Sequence, residues 1–480
     1  MQGLGDWIHA QETYPGSGQY MKYGLYSCRG TCQCSTSYYS GPGSYGYEQL
    51  DTDWMVNAGA DWLKIDSCCG SQDHAEAFRE YGLWRDALNS TGKSVYFNLC
   101  GWNSWYSPPD PSINYTGGAS LGNSWRISGD GGSYGAISTA INTMATLYPY
   151  NNPGGWNDPD NLLGQAAPSF QITLAQSLTQ MILWSVFPTQ IILGEDVTRM
   201  SDEFLNIVNN TELIAINQDS PFVGSGQRIS GNDLTWPCSS SLPTNALYNV
   251  QTLPCNTSNP LQFWYYNQTD MSIRLNNHPQ NGVLTYYGCN QEDGTLAYVY
   301  PAGTGNGNCN NQNQQWVYLE NGNQSIVNPY SGKCLDEYMW TTPRVDLWTC
   351  VPHAPNEAWN YTGSYTTNTE NTIVPGQFIN QDSGYCLTAV DEIVNECTNI
   401  WARPLSTGAT VLAMVNNGDT DTTVTCNSTC FALANLTSTK GYKVRDVVQH
   451  MDLGTIYPPY SFSMNVSSGG SSTAVTMMEI

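Results

Sequence analysis

The stretch "ADWLKIDSCCG" at residues 60–70 carries Lys64 and Asp66 among the strand-forming residues Trp62, Leu63 and Ile65, and two cysteines follow. Residues two apart on a strand face the same side, so Lys64 and Asp66 point together. Two readings fit. In one, a half-exposed strand turns its polar residues to water. In the other, a strand end presents a carboxylate to an active site. Two further groups raise the question of metal. Cys28, Cys32, Cys34, Cys68 and Cys69 could hold zinc or form disulfides, and "NDPD" (157–160) could be taken for a metal motif.

A strand-end site needs a scaffold of alternating elements, and residues 1–219 supply one. "MKYGLYSC" (21–28) reads as a strand, and "GYEQLDTDWMVNAG" (46–59) as a helix ending at Gly59. After "DWLKID", Phe78, Tyr81, Trp84 and Leu88 recur at helical spacing within 73–92. "SVYFNLC" (94–100), "NSWRISGD" (123–130), a helix near "GAISTAINTMATL", the loop "NPGGWNDPDNLLG", a helix "FQITLAQSLTQMILWSVF" and "TQIILGED" (189–196) complete the series. Strands separated by helices imply βαβ units and a parallel sheet. Six strands are expected, whereas a (β/α)₈ barrel needs eight.

From about 235 to 398 helical periodicity gives way to Cys, Asn, Gly, Tyr and Trp. An irregular repeat joins a cysteine pair to a triplet ending in tryptophan: Cys238 and Cys255 before "QFW", Cys289 and Cys309 before "QQW", Cys334 and Cys350 before "EAW". Cys386 and Cys397 begin a fourth unit without a triplet. Three units of about 40–50 residues suit a pseudo-threefold β fold. The triplet tryptophans are expected in its core. Residues 399–480 read as short strands and turns of an antiparallel sandwich.

The 480 residues predict two or three domains. A net charge of −24 argues against nucleic acid or an anionic membrane as partner, and a surface rich in hydroxyls and amides suits sugars. Sixteen cysteines and N-x-[ST] sequons at Asn89, Asn114, Asn209, Asn256, Asn267, Asn323, Asn360, Asn427, Asn435 and Asn465 point to a glycoprotein of an oxidising compartment, secreted or vacuolar-lysosomal. That compartment favours disulfides over zinc, and no metal or cofactor is expected. No apolar run reaches ~18 residues. "MQGLGDWIHAQ" has neither the basic nor the apolar region of a signal peptide and reads as a helix entered partway, so further residues are expected upstream.

"KYGLYSCRGTCQC", "DWLKIDSC", "YFNLCGW", "NSWRISGD", "PGGWNDPD", "LGEDVTRM" and "IAINQD" occur in this order. Together they resemble glycoside hydrolase family 27, the α-galactosidase family. "WARPLSTGATVLAMVNNGD" and "YKVRDVVQHMDLG" resemble its C-terminal sandwich, and "SGKCLDEYMWTTPRVDLWTCVPHAPNEAW" resembles a ricin-type β-trefoil lectin repeat. The resemblance implies three domains: a TIM-type barrel lacking its first two strands (1–219), an inserted carbohydrate-binding trefoil (235–398) and a β-sandwich (399–480). It implies that Asp66 is the nucleophile and Asp130 the acid/base of a retaining exo-glycosidase acting on terminal α-D-galactosyl residues. Such a pair sits ~5–5.5 Å apart, the nucleophile ionised and the acid protonated at rest. The resemblance further implies Lys64, Arg126, Cys100, Gly101, Trp102 and Asp158 at the sugar pocket and a Cys34–Cys68 disulfide. In the trefoil, disulfides Cys334–Cys350 and Cys386–Cys397 are expected, and the likeness to lectin repeats makes Asp336 a sugar-gripping residue.

The chain also departs from the family. The paired-aspartate motif of the second strand has no counterpart, Gly101 stands where many members have a larger residue, and Asn161 replaces a common methionine. Those changes keep a β-L-arabinopyranosidase or an α-N-acetylgalactosaminidase open, and transglycosylation would use the same carboxylates. A carbohydrate-binding protein without catalysis is the alternative from another class. Six strands leave two open edges, which predicts a poorly stable chain.

Overall fold

The structure is a computed structural model and describes residues 2–34, 41–165, 172–231, 233–234, 236, 238, 245–276, 278–304, 307–319, 324–337, 345–351, 354–364, 374–390 and 397–480. They form two compact units: Met1–Ser230 with Asn399–Asn416 and Asp421–Ile480, and Gly231–Thr398 with Asn417–Thr420.

The first unit is built on a parallel sheet of β1 (Gly24–Cys28), β2 (Trp62–Asp66), β3 (Tyr96–Cys100), β4 (Ser124–Arg126) and β5 (Trp156–Asp158), in that order. Helix α1 (Gln2–His9) precedes it. Helices α2 (Glu48–Asn57), α3 (His74–Ser90) and α4 (Tyr134–Leu147) connect its strands, and α5 (Leu174–Val186), α6 (Asp202–Val208) and α7 (Thr211–Asn217) follow. In β2, Leu63 and Ile65 are fully buried on one face, leaving Lys64 and Asp66 for the other. Helix α3 starts where the Asp73 carboxylate accepts from Glu76 N at 3.0 Å, and it buries Phe78, Tyr81, Trp84 and Leu88. At ~1.5–3 kcal/mol per side chain, that stripe holds the helix to the sheet.

Two sequence expectations change here. Trp156–Asp158, expected within a loop, is β5. "TQIILGED", expected as a strand, makes one parallel bridge, Leu162 to Leu193. Its Ile192 carbonyl accepts from Leu162 N and its Gly194 N donates to Leu162 O, but its other flank faces a cavity of about 830 Å³ bordered by Gly24, Trp62, Tyr96, Gln190 and Ile192.

The sandwich belongs to the same unit. Its larger sheet runs Met451–Ile456, Tyr442–Asp446, Ser471–Glu479, Thr410–Asn416, Thr398–Pro404 and β6 (Gln227–Ser230), and Thr422–Cys426 pairs with Phe462–Val466. The first unit resumes at Asn399, and β6 adds to the sandwich a strand from outside the expected 399–480 span. The sandwich takes its edge strand from before the 231–398 stretch, so that stretch interrupts the sandwich rather than separating barrel from sandwich. Helix α5 lies against Ser471–Glu479, with Thr179 Oγ1 donating to Gly470 O at 2.8 Å.

The second unit repeats one device three times. Trp264, Trp316 and Trp359 are fully buried and donate their ring N–H groups to the carbonyls of Leu387, Leu284 and Leu335 at 2.8, 2.8 and 2.9 Å. The disulfides are Cys289–Cys309, Cys334–Cys350, Cys255–Cys386 and Cys238–Cys397. The expected Cys386–Cys397 pair is therefore wrong. Cys386 opens the strand Cys386–Val390, which leads the chain ~13 Å off before Cys397 is reached. That strand pairs with Tyr248–Leu253, Cys386 opposite Leu253, which brings Cys255 within bonding reach.

Candidate active site

The register of the parallel sheet assembles the site. Tyr26, Lys64, Asn98, Ser124 and Trp156 form one cross-strand row. Two residues nearer the strands' C-terminal ends, on the same face, Cys28, Asp66 and Cys100 form the next, and Arg126 pairs with Asp158. Neighbouring strands lie ~4.8 Å apart, so each row packs polar side chains shoulder to shoulder on one face.

Asp66 is buried at the end of β2. Its Oδ2 accepts from the Tyr26 hydroxyl at 2.9 Å and its Oδ1 from Ser67 N at 2.8 Å. Burial, then Cys28 and Asp66, push the Tyr26 phenol well above its ordinary range, so it keeps its proton and remains a donor. Burial works against the Lys64 ammonium, but Cys100, Asp66 and Asp160 outweigh it and hold that group above the usual lysine range. A carboxylate held by two donors with a cation near it has the surroundings a nucleophile needs.

Arg126 is the second centre. It is 1% exposed, and its guanidinium donates to Gly129 O at 2.8 Å and to Asp130 Oδ1 at 3.1 Å, and lies 3.0 Å from Asp160 Oδ2. Burial opposes its charge, while Cys100, Asp160, Asp158 and Asp130 favour it and prevail. Asp158 is buried too, and desolvation raises its carboxyl above the ordinary range despite Arg126 and a 2.9 Å bond from Asn98. Asp130, expected to be the acid that is protonated at rest, has a side chain 79% exposed and paired with Arg126.

The remaining sequence-derived positions surround this pair of centres. Cys100 is a buried free thiol, pushed up by desolvation, with its sulfur 3.6 Å from Arg126 Nη1. Gly101 is explained by packing: a Cβ there would fall 1.8 Å from a ring carbon of Tyr106. Trp102 takes a left-handed backbone (φ +61°), half-buried, with its ring N–H enclosed and unpartnered. Cys34 is bonded to Cys68 and Cys32 to Cys69. In the second unit, Asn356 Nδ2 donates to the Asp336 carboxylate, and Asp336 is buried.

Sequence reasoning missed Tyr26 and Asp160. Tyr26 could have been found from "LYSC", since Tyr26 and Cys28 share a strand face that adjoins Lys64 and Asp66. Asp160 gave only the weak signal of a second carboxylate in "NDPD". It accepts from Gly131 N at 2.7 Å and so ties the β5 loop to the segment carrying Asp130.

Comparison with known proteins gives three domain matches: Alpha galactosidase A over residues 5–219, the ricin-type beta-trefoil lectin domain over 235–359, and the alpha galactosidase C-terminal beta sandwich over 395–474. An alpha-galactosidase of Oryza sativa subsp. japonica is 31% identical over 52% of this chain and 56% of its own length. Alpha-galactosidase 3 of Arabidopsis thaliana is 32% identical over 48% and 47%. The chain thus spans about half the length of these curated relatives. The crystal structure of alpha-galactosidase I from Mortierella vinacea aligns with 96% of this chain and 77% of that one, at 17% identity and a TM-score of 0.53.

Proposed function

We propose, for a chain that belongs to the alpha-galactosidase family of glycoside hydrolases through its barrel domain and C-terminal sandwich, a retaining exo-glycosidase activity on terminal α-D-galactosyl residues. The observation that carries this reading is Asp66 itself, buried at the C-terminal end of a parallel strand with Tyr26 and Ser67 donating to its two oxygens. Asp66 attacks the anomeric carbon while Asp130 gives a proton to the leaving oxygen, and a glycosyl–Asp66 ester forms. Asp130 then takes a proton from water, whose oxygen displaces Asp66 and restores the starting configuration. The exposure of Asp130 suits the second half, in which water must reach it. Arg126 fixes that carboxylate, and Lys64 lies where it can donate to a sugar hydroxyl.

The second unit, as a ricin-type trefoil, would hold a carbohydrate near Asp336 and Asn356 and keep the enzyme on a galactose-containing oligosaccharide or polysaccharide. Seven disulfides among the described residues suit an oxidising compartment, secreted or vacuolar. Among the described residues no helix is long and apolar enough to cross a membrane.

The test is nitrophenol release from nitrophenyl α-D-galactoside, β-L-arabinopyranoside and N-acetyl-α-D-galactosaminide. We expect the α-galactoside to turn over fastest, with an α-configured first product by NMR. Asp66→Asn should lower kcat by about 10⁴-fold or more. Near-native rates in that variant, or an inverted product, would refute the assignment.

A further inference from the structure

The glycosidase reading leaves one group of sulfurs unused. Cys28 is a free thiol with no solvent exposure, at the end of β1. Its Sγ lies 3.5 Å from the Sγ of Cys34, and Cys34 is bonded to Cys68. All three sulfur atoms lie within 4.8 Å of one another. A second bridge, Cys32–Cys69, fastens the same two loops, so opening the inner bridge does not set either loop free. Thiol–disulfide exchange needs a sulfur nucleophile within reach of a disulfide sulfur and a leaving sulfur that can take the electron pair. Here the Cys28 thiol lies beside Cys34, and Cys68 is the sulfur that would leave.

We propose that Cys28 exchanges with the Cys34–Cys68 disulfide, so that the protein interconverts between two bridge isomers and Cys68 becomes a site of covalent modification by small thiol-directed electrophiles and disulfides. Cys28 passes its proton to the Tyr26 oxygen, 3.5 Å from its sulfur, as the Tyr26 hydroxyl passes its own proton to Asp66, and Asp66 later gives it up through water to the leaving Cys68. The Cys28 sulfur attacks Cys34. The Cys28–Cys34 bond forms as the Cys34–Cys68 bond breaks, and Cys68 leaves with the electron pair and takes up the proton. One disulfide and one thiol stand on each side, so no oxidant or reductant is consumed. An external disulfide then joins one of its sulfurs to Cys68 and releases the other as a thiolate.

Burial decides where a reagent finds the thiol. Cys28 is enclosed, whereas Cys68 is half-buried and stands two residues after Asp66. The sulfur that is free at rest is therefore not the one that reacts, and a modified Cys68 sits beside the nucleophile. This inference does not depend on the glycosidase reading, because its readout is a cysteine map.

The experiment treats the native 480-residue chain with excess N-ethylmaleimide at pH 8, followed by acid quench, pepsin digestion and non-reducing mass spectrometry. The expected map has maleimide on Cys68, approaching one equivalent, together with a Cys28–Cys34 linked peptide. Cys28→Ser should abolish labelling of Cys68 and leave Cys34–Cys68 intact. Maleimide on Cys28, an unlabelled Cys28/Cys68 pair after exhaustive exposure, or labelling of Cys68 that persists in Cys28→Ser would each overturn the proposal. Should Cys28→Ser not fold, the map of the unaltered chain decides.

Discussion

Asp66 and Asp130 bring one side chain into opposite surroundings. Asp66 is enclosed and receives two donors, and Asp130 reaches into solvent from the rim of a buried guanidinium. The difference makes Tyr26 a testable residue. Removing its hydroxyl takes a charge-assisted hydrogen bond worth ~1.5–3 kcal/mol from Asp66. Tyr26→Phe should lower kcat for nitrophenyl α-D-galactoside by about 10–100-fold with little change in KM; an unchanged kcat would remove Tyr26 from the site. Lys64 and Asp66 were legible in the sequence because strand alternation is a local property. Tyr26 was not, because its bond to Asp66 spans 40 residues, and only the pairing of β1 with β2 brings the two together.

Among the elements, the trefoil repeats were the most legible. A tryptophan at the end of each triplet is large, apolar and periodic, and all three lie in the core. What sets the third repeat apart is the start of its triplet. Gln262 and Gln314 accept from the backbone N–H groups of Asn256 and Gly303 at 2.7 and 2.9 Å, and Glu357 does the same from Val351 at 2.8 Å. Burial, partly offset by that bond, pushes the Glu357 carboxyl up to about 7. Between its ordinary value near 4.3 and about 7 the unfolded chain has lost this proton and the folded chain keeps it, so stability falls as pH rises through that window. Glu357→Gln should remove the loss, raising the trefoil's stability at pH 8 by ~1–3 kcal/mol and leaving it nearly unchanged at pH 4. Thermal melts at both pH values decide, and an equal shift at both would show that titration is not involved. The cysteine pairing was less legible than the tryptophans, since Cys255–Cys386 and Cys238–Cys397 span 131 and 159 residues and nothing local announces them.

At the scale of the whole chain, barrel and sandwich form one unit, locked by Arg403. Fully buried, it donates to Ser185 O and Ile216 O at 2.7 and 2.6 Å and to Gly224 O at 3.1 Å. Arg403→Met should cost ~3–5 kcal/mol by stranding those carbonyls, read as a lower urea midpoint for the first unit. A midpoint within experimental error of the parent would show that the three bonds contribute nothing net. β6 was not legible for a related reason: it has four residues and no periodicity to display, and its identity comes from a partner far along the chain.

That partner pairing has a topological consequence. Ser230 lies opposite Ile400 in antiparallel register, so the chain leaves the sandwich and re-enters it at adjacent positions. Residues 231–399 are, in effect, the loop of a two-stranded hairpin, one that happens to contain a folded lectin domain. Closure entropy grows only logarithmically with loop length, about 0.6 kcal/mol per doubling. Such an anchor is indifferent to its cargo: a two-residue Asn-Gly turn, or another module whose ends lie close together, could occupy the same position. Replacing 231–399 with Asn-Gly should leave a chain that still melts cooperatively, and its loss of secondary structure would show that the cassette is also a brace.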